Sequence, residues 1–190
     1  MIVLAQALYL FAPLLVAATL SAIVLRFHLL RFARRAIDGG ATWRGRRIFG
    51  ESKTWRGVLV AVTGSAVAAL GQELAFADIA GGLAVAHHDN AASALGLGAL
   101  MGLGAMMGEL PNSFIKRRLG IAPGKTTRGP RAVLFYVWDQ IDLLTGAWPL
   151  IAFWVRPSIE LVMATVVLAL GLHPLISLFG WLLGARTTAR

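Results

Sequence analysis

Residues 133–155 read VLFYVWDQIDLLTGAWPLIAFWV, an apolar run that carries two carboxylates, those of Asp139 and Asp142. The length and composition are typical of a membrane-spanning helix. A carboxylate near hydrocarbon costs roughly 2.5–3.5 kcal/mol on insertion scales, so such acids usually face a polar cavity, a cation or a partner. Their i, i+3 spacing places both on one face of a helix. The segment therefore predicts a membrane helix that carries a polar site.

The composition of the whole chain supports a membrane protein. Its 190 residues are 57% hydrophobic and 14% charged, with a mean hydropathy of +0.71. This is too apolar for an ordinary soluble domain and predicts one all-α, polytopic membrane domain over residues 1–190. The absence of cysteine excludes disulfides, thiolate metal sites and cysteine nucleophiles. The net charge of +9 lies beside apolar segments, as membrane topology requires, so nucleic acid is not an expected partner.

Five apolar segments approach the length of roughly 20 residues that is needed to cross the hydrocarbon of a bilayer. They are residues 2–25, 57–76, 91–110, 133–155 and 159–183. The first has no basic region before its apolar core and no evident cleavage site, so we interpret it as a retained span rather than a signal sequence. The third is rich in glycine and alanine, which let helix backbones approach closely, and is predicted to be central.

Lysine and arginine residues are distributed very unevenly between the predicted loops. Nine lie in residues 26–56, six in residues 111–132 and two in the tail, which leaves only Arg156 on the opposite side. The positive-inside rule places these two loops and the C-terminus in the cytoplasm and the N-terminus outside. The chain is thus predicted to be an integral protein of the cytoplasmic membrane, with His87 and His88 in an exterior loop.

The start of the second span carries the first polar motif, Lys53-Thr54-Trp55-Arg56-Gly57. Lys53 and Arg56 suit phosphate oxygens, the arginine by a bidentate contact and the lysine as a point charge. Gly57 would let the backbone come close to a ligand or to a neighbouring helix. An interfacial Lys/Arg/Trp anchor explains the same residues, and this alternative stays open at the sequence level.

The end of the third span carries the second motif. Glu109 is followed by Ser113, Lys116 and Arg117 at spacings that fit one face of a short helix, and a proline–glycine pair then ends it. A positive-inside loop would explain the cations. It does not explain a carboxylate at the end of a span, so Glu109 is a candidate site residue.

Asp139 and Asp142 form the third motif. An ion pair with Arg117 or Arg131 would explain one of the two acids, but it explains two less well, because like charges oppose each other's ionisation. A bound Mg²⁺ removes that conflict, since hard cations prefer carboxylate oxygens. The motif therefore predicts a magnesium site.

Together, the three motifs resemble those of the CDP-archaeol synthases, within the wider CDP-diacylglycerol synthase (phosphatidate cytidylyltransferase) superfamily. The resemblance extends from about residue 50 to residue 183 and is carried by residues 53–57, 113–124 and 139–142. The archaeal pattern has Asp where this chain has Glu109, and Lys where it has Asn112.

The resemblance implies a CTP-dependent, Mg²⁺-dependent cytidylyltransferase that acts on a lipid phosphate in the bilayer, with its active site facing the cytoplasm. It implies catalytic roles for Ser113, Lys116, Arg117, Asp139 and Asp142. The implied metal ligands are Asp139, Asp142 and Glu109. The implied substrate-binding residues are Lys53, Thr54, Arg56, Gly57, Arg118, Pro123, Gly124 and Gln140. A homodimer is an open alternative for its assembly.

Two other functions compete with this interpretation. The three acids would suit a small ion or proton transporter, although they cluster near one predicted face among cations instead of being spread across the membrane. A non-catalytic, lipid-binding membrane protein is the other alternative. A CDP-alcohol phosphotransferase is disfavoured, because its dense run of Asp and Gly on one helix is absent.

Overall fold

The computed structural model describes residues 2–80, 83–84, 90–125, 129–182 and 184, and in these residues five α-helices follow one another. They are α1 (Ile2–Arg26), α2 (Trp55–Ala80), α3 (Ala91–Arg118), α4 (Pro130–Ile151) and α5 (Ile159–Leu182). A 3-10 turn (Arg31–Ala33) and an antiparallel hairpin of β1 (Thr42–Trp43) and β2 (Arg46–Arg47) lie between α1 and α2. The predicted all-α class is confirmed, although the sequence did not predict the hairpin. His87, His88 and the tail 185–190 lie outside the described residues.

Helices α2, α3 and α4 each begin at residues suited to that position. Thr54 precedes α2, and its Oγ1 accepts a hydrogen bond from the N–H of Gly57 at 3.3 Å. Asn90 and Ser93 form a capping box at the start of α3, with reciprocal bonds of 3.0 and 3.3 Å. Pro130 is the first residue of α4, where its missing N–H leaves no helical bond unmade.

The central helix, α3, contacts α2 through bare backbone. A Cβ atom on Gly98 would lie 2.4 Å from the carbonyl oxygen of Ser65, and one on Gly102 would lie 2.2 Å from that of Ala61. Both distances are far below van der Waals contact, so only glycine allows α2 and α3 to approach this closely.

The opposite face of α3 makes the same kind of contact with α4. Because each residue turns a helix by about 100°, the step from Gly102 to Gly104 crosses to the other side. A Cβ atom on Gly104 would lie 2.5 Å from the carbonyl oxygen of Gly146, and one on Gly108 only 2.0 Å from that of Asp142. The prediction that this glycine-rich helix is central is confirmed. The contact also fixes the backbone of a predicted site residue.

The remaining helices pack around this centre, with α1 against α2 and α5, and α5 also against α4. The ring of Phe11 in α1 packs on Trp148 in α4, with centroids 5.5 Å apart. The indole N–H of Trp148 donates to Thr165 Oγ1 in α5 at 3.0 Å. Met101 and Ile151 are fully buried in the same core. The core therefore ties α4, which carries the acids, to both terminal helices.

The outward-facing surface of the helices is apolar, and Val67, Leu74 and Ile159 are largely exposed on it. Such a surface fits contact with lipid. By length and hydropathy, three of the described helices are able to cross a membrane, over Ile2–Arg26, Trp55–Phe76 and Ala91–Arg118. The apolar part of α5, Ile159–Leu172, is shorter. That α4 and α5 also cross the bilayer stays a prediction.

Both predicted basic loops lie at one end of the bundle, which we call the basic end, where α1 and α3 end and α2 and α4 begin. The hairpin after α1 is hydrogen-bonded to the C-terminus of α3. Gly184, after α5, lies beside Arg26, because a Cβ atom on it would be 3.8 Å from Arg26 Nε. The predicted grouping of the two loops is confirmed, and the side of the membrane that they face stays a prediction.

Helices α3 and α4 do not begin and end where the predicted spans do, and the bounds of the spans themselves stay predictions. Helix α3 continues from residue 110 through Pro111 to Arg118, so residues 111–118 of the predicted loop 111–132 are helical. Helix α4 runs from Pro130 to Ile151, whereas the predicted span covers 133–155, and its two acids lie in the third and fourth turns of the helix. Hydropathy marks where side chains become polar, and α3 continues past that point because its polar side chains find partners on α4.

Candidate active site

The motif residues of α3 and α4 face one another at the basic end. Gly108, Asn112 and Lys116 recur every four residues along α3 and so share one face. Asp139 and Asp142 of α4 meet that face through hydrogen bonds and an ion pair. The structure therefore brings together the acid pair and the basic motif, which the sequence predicted as parts of one site.

Asn112 lies between the two carboxylates. Its Nδ2 donates to Asp139 Oδ1 at 2.6 Å and to Asp142 Oδ2 at 2.8 Å. The ammonium group of Lys116 pairs with the same oxygen of Asp139. Asn112 and Asp142 are only 3% and 6% exposed, whereas the side chain of Asp139 is 42% exposed. One carboxylate of the pair is thus buried and the other is accessible.

Glu109 is held by the start of α2. Its carboxylate forms an ion pair with Lys53, and both side chains are largely buried. Across the described ranges, no three Asp, Glu or His side chains are grouped closely enough to hold a metal ion. The predicted ligand set of Asp139, Asp142 and Glu109 is therefore not assembled as three carboxylates, because Lys53 engages the third.

The oxygen atoms around the acid pair nevertheless suit a hard divalent cation. Asp139 and Asp142 supply carboxylate oxygens on one face of α4. Oδ1 of Asn112 is buried beside them and has no hydrogen-bond partner. Mg²⁺ prefers oxygen ligands, is commonly held by one or two carboxylates, and keeps several waters. These residues fit a magnesium ion, and its presence stays a prediction.

Arg117 presents unpaired donors. Its Nε and Nη1 atoms are buried and have no hydrogen-bond partner. The side chain lies against the turn at Gly50, where an added Cβ atom would be 3.6 Å from Arg117 Nη1 and 3.4 Å from Pro123 Cγ. Buried donors without a partner are costly, and the oxygen of an anion would satisfy them. Arg117 is thus suited to bind phosphate.

Arg118 is engaged with the hairpin in this structure, and the prediction that it binds substrate stays a prediction. Its guanidinium donates to the backbone carbonyls of Arg46 at 3.0 Å and Arg47 at 2.6 Å, and also to that of Trp43. The ring of Trp43 stacks on Phe114 of α3 with centroids 5.4 Å apart. These contacts indicate that Arg118 holds the hairpin against α3.

The other predicted substrate residues of α2 lie at the edge of the site. Thr54 caps the helix through its hydroxyl oxygen. Arg56 is half-buried, and its Nη1 donates to the carbonyl of Leu29 at 3.4 Å. A Cβ atom on Gly57 would lie 3.7 Å from Met106 Cε, an ordinary contact, so the space around Gly57 does not require glycine.

Ser113 and Gln140 are both buried, on α3 and α4 respectively. Oε1 of Gln140 is buried without a hydrogen-bond partner. Pro123 and Gly124 lie in the turn after α3, where Gly124 has a φ of +71°, a region that favours glycine. Pro123 is therefore placed near Arg117 by a turn that the glycine makes possible.

Asp38, which was not predicted as a functional residue, organises the hairpin loop. Its buried carboxylate accepts hydrogen bonds from Arg47 Nη2 at 2.5 Å and from the N–H groups of Gly40, Phe49 and Gly50 at 3.0–3.1 Å. Burial alone would raise the pKa of Asp38, but these hydrogen bonds hold that pKa well below its ordinary value. The available signal was a single acid among the seven cations of residues 26–50.

A cavity of about 200 Å³ lies among the helices next to the site. Its walls come from all five helices and are mostly apolar, and Glu109 is the charged residue among them. The lining includes Phe11, Leu14, Ala105, Leu144 and Leu168. Since ligand pockets are commonly about 300–1,000 Å³, this volume suits part of a hydrocarbon chain rather than a whole lipid. The cavity joins apolar space to the Lys53–Glu109 ion pair.

Comparisons with known proteins agree with the motifs. A CarS-like family model, described as CDP-archaeol synthase, matches residues 1–189. A CDP-archaeol synthase of Halobacterium salinarum is 35% identical over 161 residues, which cover 80% of this chain and 81% of that protein. The one from Pyrococcus abyssi is 39% identical over 116 residues, 60% of this chain and 61% of that protein.

A third relative, the CDP-archaeol synthase of Pyrococcus furiosus, is 38% identical over 89 residues. The chain spans about half of that protein's length (48%). A solved structure of an intramembrane enzyme for archaeal membrane lipid biosynthesis superimposes with a TM-score of 0.62, at 27% identity, covering 88% of this chain and 89% of that one. The predicted family resemblance and the membrane fold class are confirmed by these matches.

Proposed function

The chain belongs to the CDP-archaeol synthase family, and we propose that it transfers a cytidylyl group from CTP to a lipid phosphate and releases pyrophosphate. One observation carries the proposal: the apolar cavity ends at Glu109, next to the charged face of α3 and α4. A lipid phosphate has the same division, with an apolar tail and an anionic head group. The apolar cavity thus suits the tail of such a molecule, and the charged face suits its head group.

In the proposed reaction, an oxygen of the lipid phosphate attacks the α-phosphorus of CTP in line. The new P–O bond forms while the bond from the α-phosphorus to the bridging oxygen breaks, and pyrophosphate leaves. Because the nucleophile is already an anion, no strong general base is required. The enzyme must instead bring two polyanions together, which requires positioned cations.

The cations of the site divide this work. Lys116 and Arg117 bind the triphosphate or the leaving pyrophosphate: Arg117 already has unpaired donors, and Lys116 turns to phosphate from Asp139. Lys53 and Arg56, at the start of α2, bind the lipid phosphate or the nucleotide. Ser113 donates a hydrogen bond to a phosphate oxygen. These assignments rest on the family resemblance and on the donors that each side chain has available.

Asp139 and Asp142 hold Mg²⁺ in the proposed site. When bound, the ion neutralises charge on the phosphate oxygens. Asp139 is the accessible member of the pair and faces the substrate, whereas the buried Asp142 is fixed by the contact of its backbone with Gly108.

The test is an assay of the purified protein with labelled CTP, Mg²⁺ and lipid phosphates that carry isoprenoid ether or acyl ester tails. We expect a CDP-lipid product with at least one of them. Asp139→Asn and Asp142→Asn each lower the rate by about 10²–10³-fold, the usual effect of removing one electrostatic contact to a transition state. Glu160→Gln, at an exposed acid at the start of α5, is the matched control and keeps the wild-type rate.

Two results would contradict the proposal. CTP binding without a CDP-lipid from any lipid phosphate would favour the non-catalytic, lipid-binding protein. Cation flux into proteoliposomes that is abolished by the same Asp variants, with no nucleotide binding, would favour the transporter.

A further inference from the structure

We infer that Asn112 is itself a ligand of the divalent cation, binding it through Oδ1 between Asp139 and Asp142. The inference rests on the proposed function only in placing a divalent cation at the acid pair. It adds a neutral oxygen ligand from α3 to the two carboxylates of α4. It also assigns the side-chain amide of Asn112 two orientations, one for each state of the site.

The hydrogen bonds of Asn112 are the first observation that supports this role. An asparagine amide has two N–H donors and one oxygen acceptor. Both donors point at carboxylates, at 2.6 Å from Asp139 Oδ1 and 2.8 Å from Asp142 Oδ2. The amide nitrogen therefore contacts one oxygen of each carboxylate, so the amide group lies beside the place that a cation shared by the two carboxylates would take.

The unpaired oxygen of the same amide is the second observation. Oδ1 of Asn112 is buried and has no hydrogen-bond partner, in a residue that is 3% exposed. A buried acceptor without a donor costs about 1–3 kcal/mol, so the orientation is favourable only while the carboxylates need the N–H groups. A half turn about the Cβ–Cγ bond exchanges Nδ2 and Oδ1 and leaves the shape of the side chain almost unchanged. A cation between the carboxylates would favour that exchange.

The surrounding backbone makes this a local change. Gly108, one turn before Asn112, is in direct backbone contact with Asp142, so α3 and α4 keep their spacing at this level. The other nearby acid, Glu109, is engaged by Lys53. Among the described residues, Asn112 is thus the side chain whose unpaired oxygen lies beside both carboxylates.

The experiment measures cation binding rather than turnover. Mn²⁺ is titrated into the full-length protein in detergent and followed by the EPR signal of free Mn²⁺, without nucleotide and again with a non-hydrolysable CTP analogue. Asn112→Ala is expected to weaken Mn²⁺ binding by at least about 10–100-fold, the range found when a residue that only orients the metal ligands is lost. Asn112→Asp keeps an oxygen in place and binds Mn²⁺ at least as tightly as the wild type.

Asn90→Ala is the matched control, since Asn90 is an exposed asparagine at the far end of the same helix, and it leaves Mn²⁺ affinity unchanged. Thermal unfolding in chelator shows that each variant is folded. With three acids in the site, Asn112→Asp also unfolds at a lower temperature in chelator and gains more from Mn²⁺ than the wild type does.

A purely structural Asn112 predicts the opposite pattern. If its amide only separates the two carboxylates, Asn112→Ala binds Mn²⁺ as tightly as the wild type or more tightly, and that result overturns the inference. Tenfold weaker binding by folded Asn112→Asp, or no Mn²⁺ binding by the wild type in either condition, also overturns it. Normal Mn²⁺ binding without any CDP-lipid product would instead contradict the proposed function alone.

Discussion

Three cations of the site differ in how their charge is satisfied. Lys53 and Lys116 are each paired with a carboxylate, of Glu109 and Asp139 respectively, whereas Arg117 keeps two buried donors unpaired. A phosphate that binds either lysine must displace the carboxylate paired with it. A phosphate that binds Arg117 accepts hydrogen bonds from donors that have no partner. Arg117 is therefore the residue at which an anion first gains a hydrogen bond without breaking one.

Asp38 allows a prediction for a single residue. Replacing it by Asn removes the charge that Arg47 and the N–H groups of Phe49 and Gly50 share. We expect the local stability of the hairpin loop to fall by about 1.5–3 kcal/mol, as for hydrogen bonds to a charged group, with amide exchange of Phe49 and Gly50 faster by about 10–150-fold. Hydrogen exchange with mass spectrometry measures this directly.

Glu51→Gln is the control, because Glu51 is 88% exposed and lies 3.9 Å from Arg47. The pKa of Asp38 is lower in the folded protein than its ordinary value of 3.8. The ionised carboxylate therefore contributes its full stabilisation of the hairpin loop above about pH 4. The contribution is lost as the pH falls through the folded value. Exchange that is equally slow in Asp38→Asn would show that the contacts of the hairpin with α3 hold it without Asp38.

Among the helices, α3 is held at a fixed distance from α2 and from α4 by backbone contacts on two of its faces. These contacts support a second prediction. In Gly108→Ala, the added Cβ atom meets the carbonyl oxygen of Asp142 and forces α3 and α4 apart. Overpacking of this kind costs about 1–3 kcal/mol. Because the displaced backbone carries Asp142, Mn²⁺ affinity falls together with thermal stability.

Gly96→Ala in the same helix is a close control, because a Cβ atom there meets nothing within 4 Å. It is expected to leave Mn²⁺ affinity unchanged and to stabilise α3 by up to about 1 kcal/mol through helix propensity. Equal thermal stability and Mn²⁺ affinity in the two variants would mean that α3 and α4 separate there without cost.

What the sequence could predict about these elements follows from what hydropathy measures. The five apolar segments and the central place of the glycine-rich one were predictable, since both depend on local composition. A short helix at Ser113–Arg117 was predicted, but not that it continues α3 without a break, because that continuity depends on bonds to α4 from Asn112 and Lys116. The role of Arg118 was missed for a similar reason: its partners are backbone carbonyls of a hairpin some 70 residues earlier in the chain.

For the molecule as a whole, the structure places both basic loops at one end, and the positive-inside rule then predicts the orientation. The chain contains no cysteine, so a single introduced cysteine shows on which side of the membrane its position lies. We expect Arg44→Cys, in the hairpin turn, to react with a membrane-impermeant maleimide in inverted vesicles but not in intact cells. Arg156→Cys, an exposed residue between α4 and α5, is expected to show the reverse.

The same labelling pattern for the two cysteines would contradict the crossing of the bilayer by α4, and labelling of Arg44→Cys in intact cells would contradict the orientation. The same pattern would place Arg156 on the same side as the hairpin, which an α4 that crosses the bilayer does not allow.

The ion pair between Lys116 and Asp139 has a thermodynamic consequence. Each group neutralises the other in the free site, so a phosphate that takes Lys116 leaves Asp139 available to a cation, and a cation at Asp139 leaves Lys116 available to a phosphate. The two ligands are therefore expected to bind cooperatively, and linkage requires that each raises the affinity of the other by the same factor. A phosphate or a cation that arrives alone must break the Lys116–Asp139 ion pair and leaves one charged side chain without a partner. When both arrive, each side chain exchanges its partner for a ligand.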